Sequence, residues 1–331
     1  GWGASESVIG EQHSFTNGRI IVAGGKVRRG KQRRADYLLY YRRDFPLAVV
    51  EAKEVGLPAE TGVQQAREYA EMLGLKFAYA TNGHRIIEID YTAGTEREVD
   101  RYASPGELWQ RLTAATRLPE PATAHLIEPF NLVSGKVPRY YQQIAIQRVI
   151  EAILLGQRRV LATLATGTGK TCVAFQVCWK LWNSRWNRTG EYRRPKILFL
   201  ADRNILVDDP MAKMFAPFGD ARHKIAGGDV SQSRDMYFGI YQALSTSTDD
   251  VFRKYRPDFF DLIVIDECHR GSSRDESSWR AVLDYFEPAV KFGMTATPLR
   301  EESRDSYEYF GNPVYTYSLR QGIEDGFLAP Y

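Results

Sequence analysis

Apolar positions along this chain change their spacing twice, and each change marks a boundary. "ADYLLYY" (35–41) and "PLAVVEAK" (46–53) are short runs of strand-forming residues separated by the turn-like "RRDFP". "AETGVQQAREYAEMLG" (59–74) switches to helical spacing and is stopped by Gly74. "KFAYATNG" and "HRIIEID" return to strand patterning around an Asn82-Gly83 turn. The proline-bearing "RLPEPATAHLIEPF" (117–130) breaks the pattern. From Pro138 onward, apolar strands alternate with helical segments: "RVLATLA", "KTCVAFQVCWKLW", "KILFLAD", "MYFGIYQAL", "DLIVIDE" and "KFGMTATP". Continuous apolar strands interleaved with helices predict a parallel sheet covered on both faces. The expected organisation is an α/β unit over 1–117, a linker over 118–137, and a second α/β unit over 138–331.

Composition adds limits. The 331 residues exceed what one compact domain usually holds, which agrees with two. No uncharged apolar run is long enough to cross a membrane, and no signal peptide opens the chain. Three cysteines (Cys172, Cys178 and Cys268) show no metal-ligand spacing and are too few for a disulfide framework, which points to a reduced, cytoplasmic setting. With 44 Lys and Arg against 41 Asp and Glu, the net charge is only +3, so affinity for nucleic acid has to come from local patches. "KVRRGKQRR" (26–34), with six positive charges in nine positions, is such a patch. Arg28, Arg29, Arg33 and Arg34 are its candidate phosphate contacts, against the alternative of a solvated hairpin tip.

Candidate chemistry begins at "ATGTGKT" (165–171). Gly167 and Gly169 allow a tight turn that aims backbone N–H groups at phosphate, with Thr166 and Thr168 between and before them. Lys170 can reach the β- and γ-phosphates, and the Thr171 hydroxyl can ligate Mg²⁺. Leu164 stands where the full GxxxxGK[ST] pattern has its first glycine. "DLIVIDECHR" then places Asp266 and Glu267 at the carboxyl end of an apolar strand, where open α/β sheets bind ligands. Asp266 suits water-mediated Mg²⁺ binding, and Glu267 suits orienting the attacking water.

These segments resemble superfamily-two helicases. Asp266-Glu267-Cys268-His269 is similar to motif II in its DECH form, and Thr295-Ala296-Thr297 is similar to motif III. The resemblance implies that His269, Thr295 and Thr297 couple the ATP site to nucleic acid, and that Gln142 in "PRYYQQ" reads adenine. It also places DNA-contacting segments at "ADRNIL", which carries Arg203, and at "FGIYQAL", where Ile240 replaces a frequent threonine. The second lobe of that family, with its arginine finger, is not among these residues. The 331 residues alone are therefore expected to hydrolyse ATP poorly.

The other constellation is upstream. Glu51 and Lys53, two apart on a strand, share a face, and Asp36 on the preceding strand can meet them across a hairpin. Two carboxylates can hold Mg²⁺ while a lysine positions water or stabilises a pentavalent phosphate. Gln65 and Tyr69, four apart, lie on one face of the following helix. By itself, E-x-K fits a surface strand with a salt bridge. Together, Asp36, Glu51-x-Lys53 and Gln65-x-x-x-Tyr69 resemble the PD-(D/E)xK nuclease motif with its trailing QxxxY. Joined to a DECH motor, the whole resembles the motor (R) subunit of type I restriction–modification enzymes. That resemblance implies ATP and Mg²⁺ as cofactors, double-stranded DNA as substrate, and modification (methyltransferase) and specificity subunits as partners, with translocation coupled to cleavage. Two alternatives remain open: a nuclease–helicase fusion working without a methyltransferase, and a DNA-binding switch whose nuclease site is inactive.

Overall fold

The computed structural model describes residues 2–330 apart from 4–6, 24–25, 133–134, 136, 246–249, 267–272 and 297–303. It divides into two compact units: residues 1–129 with 139–144 and 321–331, and residues 130–138 with 145–320.

In the first unit the strands are β1 (Val8–Ser14), β2 (Ile20–Ala23), β3 (Lys26–Arg29), β4 (Arg34–Arg42), β5 (Phe45–Ala52), β6 (Phe77–Thr81), β7 (Ile86–Asp90) and β8 (Thr95–Val99). Its helices are α1 (Val63–Leu73), α2 (Pro105–Thr116) and α3 (Glu120–Ile127), the last inside the stretch expected to be a linker. Six strands form one sheet in the order β1-β4-β5-β6-β7-β8, while β2 and β3 form a separate hairpin. Within the sheet β5 and β6 run parallel and the other pairs antiparallel. The parallel step requires a crossover, and α1 supplies it. Ala66 and Ala70 of α1 are fully buried against Val49 and Ala78 of the sheet. Gly74 then ends α1 in a left-handed conformation at φ 67°.

Helix α4 (Tyr140–Leu154) begins in the first unit and continues into the second. Beyond it come β9 (Arg159–Leu164), α5 (Lys170–Asn183), β10 (Ile197–Ala201), α6 (Ile205–Ala212), β11 (Arg222–Lys224), β12 (Met236–Ile240), α7 (Tyr241–Leu244), β13 (Leu262–Ile265), α8 (Ser273–Tyr285), β14 (Val290–Thr295), α9 (Arg304–Phe310), β15 (Tyr315–Tyr317) and α10 (Leu319–Glu324). All seven strands of this sheet are parallel, in the order β11-β12-β10-β13-β14-β9-β15. Strands β10, β13 and β14 are buried along their whole length, as continuous apolar runs with helical crossovers demand. Since the strands are parallel, the segments after β9, β13 and β14 leave the same edge of the sheet.

Candidate functional site

The first unit gathers five of the residues singled out by sequence. Antiparallel pairing of β4 with β5 sets Tyr37 opposite Val50. Asp36 is thereby carried to the end of β5, where its Oδ2 accepts a hydrogen bond from the Ala52 backbone N–H at 2.8 Å. Beyond Ala52 the pairing with β6 continues, since the Lys53 N–H donates to the Thr81 carbonyl at 2.8 Å. The Lys53 ammonium donates to Glu51 Oε1 and to Gln65 Oε1, each at 2.9 Å. The Gln65 amide in turn donates to the Tyr69 hydroxyl at 3.1 Å. Residues 65 and 69 thus form an i, i+4 pair that holds the lysine from one face of α1.

Glu51 is only 3% exposed, and its Oε2 is buried with no hydrogen-bond partner. Burial pushes its carboxyl pKa upward, the Lys53 ammonium opposes that shift, and the neighbouring Asp36 carboxylate reinforces it. An orphaned carboxylate oxygen beside a second carboxylate fits a divalent cation, because such oxygens are normally paired when buried. Asp36 and Glu51 would hold it. Among the described residues, no group of three or more His, Cys, Asp or Glu could hold a metal.

Sequence reasoning passed over three neighbours of this cluster. Gly62, before α1, lies against the lysine stem and Ala80: a Cβ there would meet Lys53 Cγ and Cε at an ordinary 3.5 Å and Ala80 Cβ at a tight 3.3 Å. Phe15 packs edge-on against Tyr69, ring centroids 5.2 Å apart, and Tyr140 packs edge-on against Phe15 at 5.8 Å. A glycine at the start of the helix after E-x-K was a readable signal for the first. Nothing local marked the other two.

The second unit holds the segment expected to be a phosphate loop. Strand β9 ends at Leu164 and α5 begins at Lys170. Gly167 and Gly169 between them take φ of 82° and 85°, which L side chains adopt only with strain. Thr168 is buried and folds back on the Ala165 carbonyl through both its N–H and its hydroxyl. Thr166 is exposed, Lys170 is buried and Thr171 is half-buried at the amino terminus of α5. That helix end carries N–H groups and positive dipole suited to an anion. Asp266 follows β13, is 4% exposed, and its N–H donates to the Leu200 carbonyl at 2.9 Å. Thr295 closes β14 opposite Thr163 of β9, whose hydroxyl is buried without a partner. Lys170, Asp266 and Thr295 therefore belong to one sheet edge. Glu267, His269 and Thr297 lie outside the described residues.

The remaining candidates are placed differently. Gln142 belongs to the first unit with residues 139–144, and its Oε1 accepts from the Arg139 N–H at 2.9 Å, as a residue at the third helical position does in capping a helix start. Arg28 and Arg34 are exposed. Arg29 donates to the carbonyls of Gly326, Asn17 and Gly18 at 3.2, 3.4 and 3.5 Å. Arg33 reaches the sulfur of Met72. Arg203 is exposed, with its Nε 3.5 Å from Asp202 Oδ2.

The described residues thus combine a parallel-sheet lobe, with a glycine-bearing loop between β9 and α5, and a Lys–carboxylate cluster earlier in the chain. Residues 135–300 match the family model described as type III restriction enzyme, res subunit. This match covers half of the chain, and the chain belongs to that family. Residues 8–101 match the model described as type I restriction enzyme R protein N terminus. The particular relatives are of type I. The type I restriction enzyme EcoAI endonuclease subunit of Escherichia coli is 44% identical over 342 residues, covering 100% of this chain and 41% of that protein. The EcoKI endonuclease subunit of Escherichia coli K12 is 27% identical over 382 residues, covering 92% of this chain and 31% of that protein. A solved fragment described as an HsdR subunit of a type I restriction enzyme from Vibrio vulnificus YJ016 is 56% identical, with a TM-score of 0.89, covering 100% of this chain and 58% of that one. The chain is thus a homologue of type I restriction enzyme R subunits, and it spans less than half the length of these two curated relatives.

Proposed function

We propose that this chain is the nuclease and first motor lobe of a type I restriction subunit that couples ATP-driven translocation of double-stranded DNA to Mg²⁺-dependent cleavage. The observation that carries this reading is the buried Glu51 carboxylate, with Lys53 on one oxygen and no partner on the other, in a chain that also holds a phosphate loop. In this reading the nuclease occupies 1–117, the motor lobe 138–331, and 118–137 joins them, while 118–129, 139–144 and 321–331 pack within the nuclease-bearing unit. A bound Mg²⁺ would polarise the scissile phosphate and lower the pKa of a coordinated water.

The protein groups have distinct tasks. Asp36 and Glu51 bind the metal, and the Lys53 ammonium offsets charge developing on the phosphate in the transition state. Gln65 and Tyr69 hold that ammonium in place. At the motor site, the backbone of Thr166–Gly169 and the Lys170 ammonium cradle the triphosphate, while Thr171 and Asp266 serve its Mg²⁺. Glu267 orients water, Gln142 reads adenine, and His269, Thr295 and Thr297 relay the nucleotide state. Arg28, Arg34 and Arg203 contact DNA phosphates. Arg29 and Arg33, which have partners within the protein, contribute less. The partners are modification and specificity subunits, in the cytoplasm. The test is DNA cleavage by the complete subunit with and without a cognate methyltransferase complex, ATP and Mg²⁺. Dependence on all three supports the reading, and cleavage indifferent to the methyltransferase would place the chain in a different system.

A further inference from the structure

The Lys53 ammonium is held by a relay that does not end within α1. Lys53 is bonded to Gln65, and Gln65 to Tyr69. The Tyr69 ring meets the edge of Phe15 at 5.2 Å with an 83° interplanar angle, and Phe15 meets Tyr140 at 5.8 Å and 73°. The Tyr140 hydroxyl donates to the Asp325 carboxylate, and the Tyr140 ring lies 6.3 Å from that of Phe327. All of these residues belong to the first unit, yet Tyr140, Asp325 and Phe327 come from far outside the stretch that carries the nuclease motif.

The docking of these segments is built to close tolerance. The Asn17 N–H donates to the Asp325 carbonyl at 2.8 Å. At Gly326 (φ 77°) a Cβ would lie 2.0 Å from the Gly18 carbonyl oxygen, and at Gly18 (φ 73°) one would lie 2.3 Å from the Gly30 oxygen. Arg29 ties the Gly326 and Gly18 carbonyls together, and the Arg139 guanidinium sits 4.7 Å over the Phe327 ring. The same 139–144 segment touches α1 at its other end, since a Cβ on Gly74 would be 3.4 Å from Ile144 Cγ2. The helix bearing Gln65 and Tyr69 is therefore braced near its middle and at its terminus.

We propose that Tyr140 is a positioning residue for the nuclease: through Phe15, Tyr69 and Gln65 its ring fixes where the Lys53 ammonium stands. This inference rests on the nuclease reading of Lys53. The backbone that carries the carboxylates is set by the pairing of strands β4 and β5, whereas the ammonium stands on a long side chain held by Gln65. Loss of the Tyr140 ring therefore lowers cleavage more than it changes metal affinity.

The experiment uses the full subunit assembled with its modification and specificity partners. Tyr140→Ala is expected to slow DNA cleavage about ten- to a hundredfold, the scale of effect that a small misplacement of a catalytic group has. Mn²⁺ affinity by calorimetry changes much less than the cleavage rate. Tyr140→Phe keeps the ring and restores cleavage to near the wild-type rate. Should Tyr140→Ala fail to assemble, Tyr140→Leu keeps most of the volume without the ring and carries the same expectation. Lys53→Ala is measured alongside. Wild-type cleavage by Lys53→Ala overturns the nuclease reading. An inactive Lys53→Ala beside a fully active Tyr140→Ala or Tyr140→Leu overturns the positioning role alone.

Discussion

The Lys53 ammonium lies 2.9 Å from one oxygen of the Glu51 carboxylate, while the other oxygen is buried and unpartnered. A carboxyl whose folded pKa is raised binds its proton more tightly in the native than in the unfolded state. Its stabilising contribution is present below the ordinary value of 4.5 and is lost as pH rises through the raised folded value. At neutral pH without metal, Glu51 is thus a cost to the fold. Glu51→Gln is expected to raise the melting temperature of the metal-free protein near pH 7 and to abolish Mn²⁺ binding in this unit. In the wild type, apparent Mn²⁺ affinity should climb with pH above 4.5 as the carboxyl ionises. Thermal denaturation checks the first and titration calorimetry across that range the other two, and a pH-independent affinity would remove Glu51 from the metal site.

The exposed arginines of the basic run give a salt-dependent signal. Every DNA phosphate that an arginine ceases to neutralise should reduce the slope of log K against log salt by about 0.9. Replacing Arg28 and Arg34 together is expected to lower the slope by about 2 at most, measured by anisotropy on duplex DNA. An unchanged slope assigns the run to a solvated face. Arg29→Ala should act mainly on folding, because its guanidinium grips backbone carbonyls.

Lys291 offers a stability test in the second unit. It is 3% exposed on β14, and its ammonium donates to the carbonyls of Phe286 and Glu287 at 2.8 Å each. Burial lowers its pKa to about 8 from 10.5. Between those values the unfolded chain binds more protons than the folded one, so stability rises with pH across that window. The full gain is on the order of 3 kcal/mol. The neutral amine still has two N–H bonds for the two carbonyls. Urea denaturation of wild type and Lys291→Met at about pH 7.5 and pH 10 should show the wild type gaining on the variant at the higher pH. A constant difference would mean that the lysine does not titrate there.

Legibility of the fold followed burial. Strands β4, β5, β9, β10, β13 and β14 carry runs of apolar residues, and the sequence announced each of them. Strand β1, "VIGEQHS", is almost wholly exposed, and β8, "TEREV", is a charged edge strand. Neither has the alternation that marks a half-buried strand, so pattern alone passes over them. Helix α2 has a full capping box at Ser104 and Glu107 and a proline in its first turn, a signal that was present and unread. Helix α3 sits among prolines that suggested a linker. At the site, residues close in sequence were legible because E-x-K and Q-x-x-x-Y are faces of one strand and one helix. Phe15 and Tyr140 were not, because edge-on packing between residues so far apart along the chain leaves no local periodicity.

Whether two chemistries reside in two units of one chain is decided by paired variants in the assembled enzyme. Lys53→Ala should abolish DNA cleavage while ATP hydrolysis and translocation continue. Lys170→Ala should stop translocation, and the cleavage that depends on it, while Mn²⁺ still binds at Asp36 and Glu51. Translocation can be followed by displacement of a triplex-forming strand and cleavage by linearisation of a circular substrate. Lys53→Ala is expected to displace the triplex at the wild-type rate and to leave the circle uncut. Linearisation at the wild-type rate by Lys53→Ala would contradict the nuclease reading.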